Sequence, residues 1–465
     1  MLQLNELIEN LGGDLVSESK KDLIRGFSTD SRTICKNECF IALRGPRFDG
    51  HSYILKAYER GASAFVIDYT FLTSTINSDD DSFINYVDKV KHLPNVIVVE
   101  DTIKSLGYLA SYVRGNFTGS CVGITGSCGK TTTKELCKLV LSAKYSVMCN
   151  QGNFNNHIGL PLTLLKLDSS YEVLVCEMGA SARGDIKYLS DLLRPEVGII
   201  TNVHPVHLEG FKTIDNVYKT KLELAEYLDK INGTLIINGD DENLVREVRN
   251  YNLNIITFGK RKYCDFVLSS TEYIDGMLHC EVNGKYKFIL NTIGYFNVFN
   301  ALSAIALADF YKIDFPQIKD TFSSFVDLER RFKIKKGDSL IIDDTYNANP
   351  FSFSQSLDIF RKIQARRKKI VVCGDMLELG SESEEFHRKL GKDIVSSGAN
   401  VVVALGNEIK TTIDVIKSIN SDIHCVYFEN TASAINFLKE ELGKGDAVLL
   451  KASRGIKLDE VAQAL

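Results

Sequence analysis

"VGITGSCGKTTTKEL", residues 122–136, decides how the rest of the chain is read. It has the glycines and the Lys-Thr of a phosphate loop. It misses the usual spacing, which is a Gly, four residues, then Gly-Lys-Ser/Thr. Counting back from Gly129-Lys130-Thr131 puts Ile124 where the first Gly belongs. An apolar run leads into the loop, and Leu136, Leu139 and Val140 follow at helical spacing, so a strand passes into a helix from about Thr132. Glycines let backbone N–H groups approach phosphate oxygens, and a helix start adds positive potential. On this reading Gly126, Ser127, Cys128, Gly129, Lys130, Thr131 and Thr132 hold a nucleotide. Lys130 reaches its β- and γ-phosphates and Thr131 ligates Mg²⁺. Cys128, at a helix start beside Lys130, reads either as an activated thiol whose alkylation blocks the site unless ATP protects it, or as an inert small residue. The bland alternative is a glycine turn, but turn chemistry does not account for Gly-Lys-Thr-Thr-Thr.

Outward from the loop, apolar runs alternate with helical patterns. "CVGIT", "EVLVCEM", "EVGIIT", "GTLIIN" and "NIITF" form one group, and "SLIIDD", "KKIVVCGD", "NVVVALG" and "AVLLKAS" a second. This alternation predicts α/β folding with mostly parallel sheets. Before the loop, "ECFIAL", "ASAFVID" and "NVIVVED" predict a smaller α/β unit, and the polar "TSTINSDDDS", residues 73–82, a surface excursion. The expected organisation is three domains: 1–115, 116–327 and 328–465. Gly126, Glu177, Asn202, Asp344, Gly374 and Lys451 fall at carboxyl ends of predicted strands, where open α/β sheets bind ligands.

The 465 residues are 44% hydrophobic and 25% charged, with net charge −5. These values predict a multidomain globular protein and offer no basic surface for nucleic acid. No apolar run approaches the ~18 residues of a membrane span, and "MLQLNELIENLGG" lacks signal-peptide architecture. Eleven scattered cysteines without a metal-type pair predict free thiols in a reducing cytoplasm.

The helix predicted over "TIDNVYKTKLELAEYLDK", residues 213–230, has an apolar stripe of Ile214, Val217, Leu224 and Leu228, with Lys221 in its middle. Lys219 lies roughly 200° round the helix and is expected in solvent. The Lys221 stem either snorkels to a rim or places a desolvated, nucleophilic amine in the interior, able to add CO₂ as a carbamate. Glu177, His204 and His207 read either as ordinary strand-end groups or as metal ligands. "GNFNNHIGLP", residues 152–161, reads as a turn-rich loop or a polar clamp. Asn297 and Asn300 read as helix caps or as contacts to a base edge.

Together these motifs resemble the Mur ligase family over nearly the whole chain, and this family's loop has the form G-x-x-G-x-x-G-K-T-T. "STDSR" with "GPRFDGH" resembles its UDP-substrate region, "GNFNNHIGLPLTLL" its substrate-facing loop, and "CEMGASARGDI" with "TNVHPVHLEGF" its magnesium strands. "DDTYNANP", "GDMLELG" and "KASRG" are similar to its C-terminal domain in the branch that adds D-alanyl-D-alanine. The resemblance implies a small N-terminal UDP-substrate domain, a central ATPase domain and a C-terminal Rossmann-like domain. It implies ATP and two Mg²⁺ as cofactors, with a UDP-N-acetylmuramoyl tripeptide and D-alanyl-D-alanine joined through an acyl phosphate by a monomer. Lys130, Lys221 and His207 are then catalytic. Thr131, Glu177, His207 and a carbamylated Lys221 hold the metals. Asn297, Asn300, Arg331 and Asp344 contact ATP, and Ser31, Arg32, Asn153, Asn155 and Asn156 contact the UDP substrate. Phe296 stands where the family usually has His. A folylpolyglutamate-synthase-like ligase shares the loop and modified lysine, and a nucleotide switch is the reading if ATP turns over without substrates.

Overall fold

The strand Ser120–Thr125 carries the chain from one folded unit into a second. The computed structural model describes residues 2–17, 23–45, 48–77, 80–326 and 328–465. One unit comprises Met1–Gly123, Tyr145–Gly179 and Lys187–Glu196, the other Ile124–Lys144, Ala180–Ile186 and Val197–Leu465. Two of the three expected domains, the central and the C-terminal, thus share most of one unit.

The first unit holds a five-stranded sheet in the order Asp14–Leu15, Val96–Val99, Ala64–Asp68, Glu38–Ile41, Gly26–Ser28. All neighbours are parallel except the first pair. Both faces are covered, which is why its strands read as continuous apolar runs. Phe40, Phe65 and Ile67 pack on one side with Val87 and Val90 of the helix Asp81–Lys91. Cys39, Ile41 and Val66 pack on the other with Leu106 and Leu109 of Thr102–Gly115. The same unit contains the parallel pair Val147–Cys149 and Val173–Glu177. The polar stretch 73–82 is more helical than expected: Ser74–Asn77 is a 3-10 turn, and Asp80 caps the next helix by accepting from the Ser82 and Phe83 N–H groups. Its residues 78–79, and Pro46 and Arg47 of "GPRFDGH", lie outside the described residues.

In the second unit the parallel strands Val197–Ile200, Thr234–Asn238 and Asn254–Gly259 lead to Phe266–Ile274. That strand turns back through an antiparallel meander, Met277–Val282 and Tyr286–Leu290, which the apolar runs do not announce. Only Leu268 of its nine residues is buried. The last sheet runs Lys333–Lys336, Leu340–Asp343, Ala447–Lys451, Lys369–Gly374, Val401–Leu405, His424–Phe428. It is parallel after its first strand, with helices on both faces. This is the doubly wound arrangement, in which ligands sit beyond strand carboxyl ends. Asp344 and Lys451 lie at two such ends.

Candidate active site

Ile124 is fully buried inside its strand, so the position where a stricter loop carries Gly is core here. The turn begins at Gly126, with φ +146°, where an added Cβ would meet Thr201 Oγ1 at 2.0 Å. It ends at Gly129, with φ +80°, where a Cβ would meet Asn300 Oδ1 at 2.5 Å. Two glycines therefore serve left-handed backbone against close neighbours. The helix starts at Lys130, two residues earlier than expected, and runs to Leu141. Its first turn points N–H groups along the axis with no intrahelical acceptors, the arrangement that receives phosphate.

The loop is braced from behind. Asn202 accepts from the Ser127 N–H through its carbonyl at 2.9 Å and from the Cys128 N–H through Oδ1 at 2.9 Å. The Ser127 hydroxyl donates to the His204 carbonyl at 2.9 Å and accepts from the His204 N–H at 2.8 Å. Ser127 and Cys128 thus spend these amides on the loop's shape, and the amides of Thr131 and Thr132 follow at the helix start, where an anion is received. Lys130 Nζ curls back onto the Gly126 and Ser127 carbonyls, at 2.8 and 3.4 Å.

Arg331 reaches the same loop, its Nη2 donating to Thr131 Oγ1 at 2.9 Å, with its guanidinium 3.8 Å from the Tyr346 ring centroid. The flanking Arg330 and Phe332 have φ +61° and +60°, so a left-handed pair of non-glycine residues presents this arginine. Asp344 is buried. Its Oδ1 accepts from the Phe332 N–H, and its Oδ2 from the Ser356 hydroxyl and the Lys451 ammonium. Neither Asn297 nor Asn300 caps a helix. Helix Asn297–Phe310 begins after Phe296 with no side-chain cap, and both asparagines point into the interior. Asn300 donates to Asn297 Oδ1 at 3.0 Å and accepts from Thr133 Oγ1 at 3.2 Å, which seats it under Gly129. Phe296 meets Phe332 edge-on, with ring centroids 5.8 Å apart.

Lys221 is where helical spacing predicts: 1% exposed, on the helix Ile214–Asp229, while Lys219 is exposed. Burial, reinforced by the charge of Lys130, pushes its ammonium down from 10.5 to about 7. Phe211 lies 5.7 Å from Nζ. His207 enters the same electrostatic neighbourhood. Burial holds its imidazole below the ordinary value against the opposing pull of Glu378, with Lys130 and Lys221 adding to the depression. Its Nδ1 is hydrogen-bonded to Glu378 Oε2. His204 stacks on Phe351 at 3.4 Å, and burial pushes it down to about 4.

Cys128 departs from the activated reading. Burial pushes its thiol up, outweighing the Asn349 hydrogen bond and the charges of Lys130, Lys451 and Arg331. Its Sγ sits 3.2 Å from Asn349 Nδ2. In peptide mapping at neutral pH, Cys128 is expected to alkylate more slowly than exposed Cys35, because burial raises its thiol and so lowers its thiolate fraction. Equal rates would restore the activated-thiol reading.

The first unit carries the remaining predicted residues. Glu177 is 2% exposed, and Asn150 holds its backbone through both amide atoms. Asn155 Nδ2 donates to Glu177 Oε1 at 2.5 Å, while Oε2 is buried with no hydrogen-bond partner. Asn156 Oδ1 accepts from the Ile158 and Gly159 N–H groups, a local turn role, and Asn153 is exposed. Ser31 is buried, and Arg32 is exposed and paired with Asp30 at 2.7 Å.

Among the described residues no three His, Cys, Asp or Glu gather as a metal cluster. The fit of magnesium therefore rests on other observations. A buried carboxylate oxygen without a partner costs roughly 1–3 kcal/mol or more, and a hard cation relieves that cost. His207 and Lys221 are held toward the neutral forms that ligation and carbamylation require. Taken singly, these donors suit a hard divalent cation.

Three family models match in chain order: Mur ligase family, catalytic domain, over residues 23–112; Mur ligase middle domain over 124–308; and Mur ligase, glutamate ligase domain, over 330–454. The UDP-N-acetylmuramoyl-tripeptide–D-alanyl-D-alanine ligase of Bacillus subtilis is 33% identical over 99% of this chain and 98% of its own. That of Escherichia coli is 30% identical at the same coverages, 99% and 98%. Among solved structures, MurF from Acinetobacter baumannii superposes with TM-score 0.84 at 25% identity, covering 99% of this chain and 98% of that one. MurF ligase from Thermotoga maritima in complex with ADP gives 0.78 at 31% identity, with coverages of 95% and 96%. With a braced phosphate loop, a buried lysine of lowered basicity and end-to-end similarity to these proteins, the chain belongs to the Mur ligase family.

Proposed function

We propose that this chain is an ATP-dependent ligase joining D-alanyl-D-alanine to a UDP-N-acetylmuramoyl tripeptide, a cytoplasmic step of peptidoglycan precursor synthesis. The buried Lys221 beside Lys130 and His207 carries the reading, because a lysine of lowered basicity facing a phosphate site suits carbamylation better than plain charge. Full-length similarity to ligases of this name supports the choice of substrates. No helix among the described residues is long and apolar enough to cross a membrane.

In this reaction the terminal carboxylate of the tripeptide attacks the γ-phosphorus of ATP and ADP leaves, giving an acyl phosphate. The amine of D-alanyl-D-alanine then attacks the acyl carbon and phosphate leaves, giving the amide. Lys130 exchanges its loop carbonyls for phosphate oxygens, and the amides of Thr131 and Thr132 add donors where charge develops. Arg331 brings a second cation to the loop from the C-terminal segment. Asn297 and Asn300 support the adenine side, and Asp344 with Lys451 orders the strand ends near the ribose. Ser31, Arg32 and Asn153 serve the UDP substrate, and Asn155 and Asn156 shape the loop that faces it. Thr131, His207 and a carbamylated Lys221, and for its own unit Glu177, are the residues that would hold magnesium, which would supply neutralisation of phosphate charge.

The test is phosphate release with UDP-N-acetylmuramoyl tripeptide, with and without D-alanyl-D-alanine. Sustained release only with both substrates is expected. ATP turnover with neither would overturn the reading in favour of a nucleotide switch.

A further inference from the structure

Glu378 lies in "GDMLELG", 171 residues from His207, yet the two are joined twice. The side chains meet through His207 Nδ1 and Glu378 Oε2. The backbones meet next door, with the Glu209 N–H donating to the Glu378 carbonyl at 3.0 Å. Both residues are non-glycine and left-handed, His207 at φ +49° and Glu378 at φ +65°. Gly380, with φ +59°, closes the turn against Glu209, whose Cα an added Cβ would approach to 3.4 Å.

Packing does not explain an acid here. The Glu378 side chain is 55% exposed, so the core does not hold it in place. With Nδ1 engaged by a carboxylate, the imidazole has Nε2 left to offer a cation. Metal-binding histidines recur in this arrangement, because a carboxylate on the far nitrogen sets the tautomer, aims the ring and raises its basicity.

We infer that Glu378 is a positioning residue for His207: it reaches from the C-terminal segment to aim Nε2, so the metal site is complete only when "GDMLELG" is docked on the His207 turn. The inference rests on the ligase reading for its metal and extends it by making the C-terminal segment part of metal binding. It follows that metal and nucleotide together favour the docked state, since a ligand stabilises the conformation it binds better.

The test uses the full chain with Mn²⁺ and a non-hydrolysable ATP analogue, counting bound Mn²⁺ by electron paramagnetic resonance. Glu378→Ala is expected to weaken one Mn²⁺ about ten- to hundredfold. Glu378→Gln, which still accepts the imidazole N–H but carries no charge, should fall between Ala and wild type. Metal-free thermal melting separates a positioning role from a folding one. The Mg²⁺ midpoint for ligation should rise in the same order, with KM for ATP at saturating Mg²⁺ near wild type. Wild-type Mn²⁺ affinity in Glu378→Ala would overturn the inference, and so would a lowered melting temperature with unchanged Mn²⁺ affinity of the folded fraction. A wild-type chain that binds two Mn²⁺ with nucleotide but forms no amide would defeat the ligase reading alone.

Discussion

Lys130→Ala is expected to cut ligation on the order of 10²–10³-fold, about 2.7–4 kcal/mol of transition-state stabilisation, while the chain stays folded. The lysine heads its helix, a position that Ala occupies without strain, and the lost contacts include two hydrogen bonds to its own loop. Those bonds cost little to lose in the free protein, so melting should change by no more than about 1 kcal/mol. The large effect belongs to the phosphates, where a point charge acts in a water-poor setting. Lys130→Arg should not rescue, because a planar fork does not replace a compact ammonium. Steady-state kinetics showing near-normal turnover in Lys130→Ala would remove the loop from the mechanism.

A loss at least as large is expected for Lys221→Ala, on the order of 10²–10³-fold or more. A free ammonium at this buried position repels magnesium, whereas a carbamate reverses the sign and supplies two oxygens. A short carboxylic acid added in bicarbonate-free buffer should restore part of the activity of the Ala variant. Lys219→Ala, on the solvent face of the same helix, should stay within a few-fold of wild type. Activity lost in Lys219→Ala and kept in Lys221→Ala would refute both the stripe and the family assignment here.

The pH dependence offers a readout without turnover. The folded value, about 7, lies below the ordinary 10.5, so the unfolded chain binds the extra proton between them. Stability therefore rises with pH across that window, and the cost of burying this lysine is fully felt below about 7. Lys221→Met should melt higher than wild type by a margin that widens toward low pH. In ¹³C-bicarbonate, wild type should show a carbamate resonance at pH 8 that is lost on acidification.

Strands buried on both faces were legible because every residue in them is apolar, as in Val173–Glu177 up to its terminal acid and in Val401–Leu405. The meander from Phe266 to Leu290 was not, since alternating and exposed positions leave no apolar run. Strand His424–Phe428 hid for the same reason, having no fully buried residue. Within the site, Lys221 was legible from one helix's periodicity. Glu378 and Asn349 were not, because their partners His207 and Cys128 are 171 and 221 residues away and no local pattern encodes that meeting. The activated reading of Cys128 rested on the helix start and Lys130, which are visible in the sequence, whereas the burial that decides its chemistry is not. Asn150 gave a faint signal, an asparagine at the end of a short strand.

The Asn155–Glu177 bond has a consequence for how ligands communicate. The loop that resembles a tripeptide contact and the carboxylate that fits a cation share one amide, and the Asn155 carbonyl also accepts from the Gly179 N–H at 2.8 Å. A ligand that shifts this loop must alter the orientation of Glu177. Energetic coupling of that kind is reciprocal: whatever factor the cation contributes to peptide affinity, the peptide returns to the cation. Asn155→Ala removes the side-chain half of this link and keeps the backbone half, so the factor by which each ligand helps the other should shrink toward one.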